Sequence, residues 1–201
     1  MFRATGWAIV GLSFGGSSRF QFLSKVKGIA EDVSAVWANA KKLTFVGGEG
    51  KTCFRAKVNT EGKFDLTGRD VKLPEDVKLV NPDERICRVT GEAVPQMELL
   101  VSKGRGNMTT AAVKAAFGAS FNEFIWSNVN FNPIEKATCL GKVSSQTAVD
   151  GFDCKLTAVG GGANTPIDAI AEVCEELIST LSSAEVKRST VGLVAKSFRR
   201  N

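Results

Sequence analysis

The sequence predicts an α+β fold, and three observations carry that prediction. Short segments of β-branched and aromatic residues, parted by Gly, Asn and Pro clusters, recur between residues 6 and 159. Two stretches instead place apolar residues at three- and four-residue steps, the spacing of an amphipathic helix. One of these lies before most of the strands and the other after them, and many strands with two helices in that order indicate α+β. No internal repeat is present.

Trp7-Ala8-Ile9-Val10-Gly11-Leu12-Ser13-Phe14 reads as a strand, closed by a turn at Gly15-Gly16-Ser17-Ser18. Taken alone, the first thirty residues also fit an organellar transit sequence, since no acid precedes Glu31 and Arg3, Arg19, Lys25 and Lys27 are basic. A helix is expected next, because Val26, Ile29, Val33, Val36, Trp37 and Ala40 form one apolar stripe. Glu31 and Asp32 near its start and Lys41 and Lys42 at its end suit the helix dipole. Strands are expected over 43–46, 52–58, 77–80, 86–90 and 96–102, with turn residues between them. Residues 107–123, rich in Ala, Thr and Asn, fit either a loop or a short helix. A strand is expected over 124–131, broken by Asn132-Pro133, and two more follow at 136–143 and 152–159. The last helix has Thr165 as N-cap, Pro166 at its first position and Asp168 where a capping-box acid stands. Its stripe is Ile170, Val173, Cys174, Leu177, Ile178 and Leu181. That stripe fits either the chain's own core or a partner polypeptide.

Composition excludes more than it assigns. The chain has no histidine, so Ser-His and Cys-His nucleophiles and mixed Cys/His metal sites cannot be built. None of its five cysteines falls in a C-x-x-C pair, and three lie in apolar strand or helix patterns and read as small buried hydrophobes, which suits a reducing compartment. No catalytic residue, cofactor or metal site is therefore expected. No apolar run approaches the about 18 residues a membrane-spanning helix needs. The net charge of +5 is concentrated in residues 185–201, where Lys187, Arg188, Lys196, Arg199 and Arg200 face only Glu185. Such a tail suits either non-specific contact with nucleic acid or a solvated terminus. Gly160-Gly161-Gly162 lacks the rest of any nucleotide-binding motif. Gly104-Arg105-Gly106 fits either an anion-binding nest or a flexible turn.

Two blocks are more specific. Val80-Asn81-Pro82-Asp83-Glu84-Arg85-Ile86-Cys87-Arg88-Val89 is a turn followed by a strand, and Met97-Glu98-Leu99-Leu100-Val101-Ser102-Lys103-Gly104-Arg105-Gly106 is a strand ending in a Gly-Arg-Gly loop. Together they resemble the amino-terminal domain of the bacterial and plastid RNA polymerase alpha subunit. Further blocks keep the family's order. Gly6 to Phe14 resembles the strand opening its inserted domain, and Lys27-Gly28-Ile29-Ala30-Glu31-Asp32-Val33 its Gly-Val-x-Glu-Asp-Ile helix start. Phe131-Asn132-Pro133-Ile134-Glu135-Lys136 is similar to its return into the dimerisation domain. Lys142-Val143-Ser144-Ser145-Gln146-Thr147 resembles its Arg-Val-x-Gln-Arg-Thr run, Lys155-Leu156 its Asp-Lys-Leu strand, and Thr165 to Ile170 its last helix start. The resemblance runs from about residue 6 to 182.

The resemblance implies an inserted, mostly-β domain over 6–131 that contacts the large subunits. It also implies a partial dimerisation domain over 132–184, with antiparallel strands and one long helix, and a basic tail over 185–201. It implies a non-catalytic assembly subunit of DNA-directed RNA polymerase, which pairs with a second alpha-type subunit and scaffolds the beta and beta-prime subunits. DNA is met only indirectly. Lys103, Gly104, Arg105 and Gly106 are the expected large-subunit contacts, with Lys142 and Lys155 as weaker ones. Ile170, Val173, Leu177 and Leu181 are expected to face the dimer partner or the missing first helix. The family's first strand and helix have no counterpart here, so a separate polypeptide supplying them, or a misassigned start, is expected. So is the absence of the carboxy-terminal DNA-binding domain. Lys142 and Gln146 stand where the family has arginines, and lysine cannot reproduce a bidentate guanidinium fork. The compartment implied is the plastid stroma or nucleoid, with bacterial cytoplasm as the alternative. The alternative function is a stand-alone nucleic-acid-binding protein using the basic tail.

Overall fold

The computed structural model describes residues 5–15, 23–61, 64–91, 94–145, 148–158 and 170–180. The N-cap of the last helix, Leu181 and the basic tail lie outside the described residues. In chain order the strands are β1 (Thr5–Phe14), β2 (Phe45–Gly47), β3 (Cys53–Val58), β4 (Asp65–Thr67), β5 (Val71–Lys72), β6 (Val77–Leu79) and β7 (Arg85–Arg88). They continue with β8 (Met97–Arg105), β9 (Asn107–Met108), β10 (Ile125–Trp126), β11 (Val129–Asn130), β12 (Ile134–Ser145) and β13 (Ala148–Ala158). The helices are α1 (Val33–Ala40), α2 (Thr110–Phe117) and α3, over 170–180. The architecture is α+β with antiparallel pairing, as the sequence predicts. None of these helices is long and apolar enough to cross a membrane.

A five-stranded sheet, ordered β10-β1-β8-β3-β5, organises the body. Its centre is the long antiparallel pair of β1 and β8, from Thr5 opposite Arg105 to Phe14 opposite Met97. The register shifts between Ile9 and Gly11, so that Gly11 meets Leu100 where Ile9 meets Val101. This irregularity lets Ile9, Leu12 and Phe14 join one core while Val10 joins the other. On β8, Leu99 and Val101 face the first core and Leu100 the second, following the two-residue period of a strand. The sheet is therefore buried on both faces. α1 covers one through Val33, Val36, Trp37 and Ala40, and α2 with residues 124–131 covers the other.

The first helix is shorter than its apolar stripe suggests. Val26 and Ile29 are buried as expected, yet they lie outside α1. Gly28 has φ +83°, which ends any helical path there. Asp32 then caps α1, its carboxylate accepting from the Ala35 amide at 2.8 Å. That bond holds the Asp32 carboxyl below its usual range. Ile29 instead bridges to Val89 in the neighbouring segment.

Other boundaries move too. Residues 107–123 contain α2, with Thr109 as N-cap, and the expected strand over 124–131 is two short strands split at Ser127-Asn128. β8 runs three residues past the expected end at Ser102, so Lys103, Gly104 and Arg105 are strand residues rather than loop. The Asn81-Pro82-Asp83 turn holds neighbouring segments together. Its Asn81 side chain accepts from the Thr44 amide and donates to the Lys42 carbonyl, both at 2.8 Å.

Phe131 closes the body at its exit to β12. Its ring lies against Gly104, where an added Cβ would come within 2.8 Å, and its carbonyl oxygen fills the space a Cβ on Gly6 would take. Gly6→Ala is therefore expected to lower stability by about 1–3 kcal/mol, the usual cost of overpacking against backbone. A urea melt of the two chains measures it, and an unchanged midpoint would refute this account of Gly6.

Candidate partner-binding surface

The expected contact residues of β8 are already engaged within the chain. Lys103 donates to the Gly48 carbonyl at 3.1 Å, and its ammonium lies 4.9 Å from the centre of the Trp7 ring. Trp7 in turn donates from its indole nitrogen to the Gly47 carbonyl. Gly106 has φ +64° and accepts from the Phe131 amide, so it serves as the turn into β9.

Arg105 reaches the last helix. Its Nη2 lies 2.5 Å from Glu172 Oε1, its Nη1 3.5 Å from Glu176 Oε2, and its Nε donates to the Thr5 hydroxyl at 3.0 Å. The Thr5 amide donates to Glu172 Oε2. A guanidinium fork is suited to this, because two carboxylates one helical turn apart offer acceptors on one face. The arginine side chain stays about half exposed. Its contribution to stability is accordingly that of a surface pair, about 0–1 kcal/mol.

Sequence reading missed Glu172 and Glu176 as site residues, although their four-residue spacing was a visible signal. Burial pushes the Glu172 carboxyl up, but the bonds from Thr5 and Arg105 outweigh it, leaving the carboxyl below its usual range. A depressed carboxyl favours the docked state above the unfolded group's titration and loses that contribution as pH falls through the docked value. The clasp should therefore hold at neutral pH and weaken as the pH falls below the ordinary glutamate range, seen as faster amide exchange over 170–180. Exchange that does not change on acidification would count against it.

The clasp fixes which way α3 faces. Ile170, Leu177 and Ile178 lie on the side of the helix turned away from Glu172 and Glu176, whereas Val173, three residues before Glu176, borders the clasped side. Ile170, Leu177 and Ile178 are 45%, 36% and 63% exposed, and Val173 is half-buried. The chain's own sheet does not cover this apolar stripe. Leu181 lies outside the described residues.

β12 and β13 form a separate two-stranded ribbon. Thr138 is opposite Lys155, and Lys142 is opposite Gly151. By the strand period, Lys136, Lys142 and Lys155 occupy positions on one face. Lys136, Thr138, Leu140, Lys155 and Thr157 are exposed there. The ribbon thus places both weaker contact candidates on one basic face, apart from Arg105.

Among the described residues no group of three or more Cys, Asp or Glu side chains is placed to hold a metal. A cleft of about 240 Å³ lies between Trp7, Lys41, Phe45 and Phe131. The Lys41 amine beside it is anchored to Ser127 and Asn128, and burial lowers its pKa. Cys87 is buried, and desolvation with the nearby Glu31 carboxylate raises its thiol to about 12. Cys53 is half-buried, but Cys174 is exposed, against the expectation of a buried hydrophobe.

Residues 20–121, just over half of the chain, match the family described as the RNA polymerase Rpb3/RpoA insert domain. The chain belongs to this family. The matched insert-domain stretch includes α1, the Asn81 turn, β8 and α2, and so contains Lys103, Gly104, Arg105 and Gly106. The ribbon and α3 lie beyond it. Similarity to whole proteins extends further. The DNA-directed RNA polymerase subunit alpha of Rhodomonas salina is 24% identical over 200 residues, covering 98% of this chain and 62% of that protein. The subunit alpha of Emiliania huxleyi is 25% identical over 187 residues, 90% of this chain and 58% of its own length. That of Clostridium beijerinckii is 36% identical over 87 residues, 43% of this chain and 27% of its own. The chain thus spans about three-fifths of the length of the first two relatives.

Proposed function

We propose that this chain is a non-catalytic alpha-type assembly subunit of a multisubunit DNA-directed RNA polymerase. The observation that carries this is the insert-domain match over 20–121, set within similarity to alpha subunits along nearly the whole chain. In this reading residues 6–131 form the insert that meets a large subunit, and residues 132–184 belong to the dimerising half. The exposed end of β8 at Arg105 and the basic ribbon face with Lys142 and Lys155 are the surfaces offered to beta and beta-prime type subunits, with the buried Gly106 shaping the turn beside Arg105. The uncovered face with Ile170, Leu177 and Ile178, bordered by Val173, receives a second alpha-type subunit or a separate helical polypeptide, and Leu181 is assigned to it from the sequence stripe alone. The proposed compartment is the plastid, since relatives along most of the chain come from algae.

Tagging this chain in its own cell and purifying the assembled enzyme tests the reading. Mass spectrometry of the eluate should find beta and beta-prime type subunits and another alpha-type chain in fixed proportion. Recovery of this chain with no polymerase subunit would overturn it.

A further inference from the structure

We propose that Cys139 and Cys154 form a reversible redox pair that staples the β12–β13 ribbon. The two residues are direct partners in the antiparallel register. They sit midway in its regular stretch, which runs without a shift from Lys136 opposite Thr157 to Lys142 opposite Gly151. Direct partners in such a ladder have Cα atoms about 4.5–5.5 Å apart and Cβ atoms about 4.5–5.5 Å apart. A disulfide spans Cα separations of about 4.4–6.8 Å and needs Cβ atoms about 3.5–4.5 Å apart, so the backbone stands close to a bridging geometry. The strand period places both cysteine positions on the face opposite to Lys136 and Lys155.

Two of the other cysteines are poor competitors, and the third, Cys174, lies on a different element. Cys87 is buried with its thiol raised, and Cys53 is half-buried with its thiol also raised by desolvation. Cys174 is exposed on α3. The chemistry needs an oxidant, and a low-molecular-weight disulfide such as oxidised glutathione supplies it. One protein thiolate attacks a glutathione sulfur, forming a mixed disulfide and releasing one glutathione thiolate. The second protein thiolate then attacks the protein sulfur of that mixed disulfide and releases the other glutathione. Two protein thiols are oxidised, one glutathione disulfide is reduced to two thiols, and the two thiol protons pass to the released glutathiones or to water. The bond would close the ribbon's loop and restrain the surface that carries its basic face, independently of which partner binds there.

The full chain, incubated with oxidised glutathione, alkylated and digested, provides the test. A single Cys139–Cys154 cross-linked peptide, lighter by two hydrogens and lost on reduction, is the expected result. Cys139→Ser should instead leave Cys154 as a mixed disulfide with glutathione. Cross-links of either residue to Cys174 or to another copy, or none between the two, would overturn the proposal. A second measurement needs no variant: phenylarsine oxide, which bridges adjacent thiols, should protect both residues of the reduced chain from alkylation together. Independent alkylation of the two would equally overturn it.

Discussion

Trp37→Ala is expected to cost about 3–5 kcal/mol of stability, the usual loss for emptying a large aromatic site in a packed core. Trp37 is 1% exposed and lies on the buried face of α1, among Val33, Val36 and Ala40. The helix has only eight residues, so it draws most of its stability from this packing rather than from its own hydrogen bonds. Its indole nitrogen has no partner in the interior. Trp37→Phe should therefore cost less, about 1.5 kcal/mol or below, because it keeps most of the volume and removes a stranded donor. Denaturant titration of the three chains distinguishes packing from hydrogen bonding. Equal losses for Ala and Phe would sink the packing account.

Leu177→Asp combined with Ile178→Asp is expected to weaken pairing with an alpha-type chain strongly while leaving the fold intact. Both side chains are exposed on α3, so neither substitution opens a cavity, and each should change monomer stability by no more than about 0.5 kcal/mol. In the proposed assembly the same positions are buried against a partner, where a carboxylate would lose its water without a counter-charge. Two such anchors removed should weaken association on the order of 100-fold. Co-purification of tagged and untagged chains measures the binding, and circular dichroism checks the helix. Unaltered recovery of the partner would exclude the stripe as its seat.

Much of the sheet was legible in the residues. The alternation in β3, the apolar run of β1 and the turn at Asn81 each gave a local signal that the fold keeps. The helix start was not, because Val26 and Ile29 supply helical spacing while Gly28 takes a left-handed backbone that no periodicity reveals. The ends of β8 were hidden for a related reason. Gly104 weakens strand propensity, yet it is required there because the Phe131 ring occupies the place of its side chain. The candidate site was legible in its parts but not in its assembly. Arg105 stood out beside two glycines, whereas its pairing with Glu172 and Glu176 joins segments that only the folded chain brings together. Likewise, the opposition of Cys139 and Cys154 depends on the ribbon's register and not on any spacing motif.

The pairing of β1 with β8 also governs when this chain can fold. Thr5 waits for Arg105 and Phe14 for Met97, so β1 has no partner strand until β8, about ninety residues later, has been synthesised. At usual synthesis rates that interval lasts about 5–20 seconds. Throughout it Ile9, Val10, Leu12 and Phe14, which the finished sheet buries completely, are open to solvent and to each other's copies on neighbouring ribosomes. The time for which β1 stays exposed in a newly made chain is thus set by the sequence distance between two hydrogen-bonded neighbours.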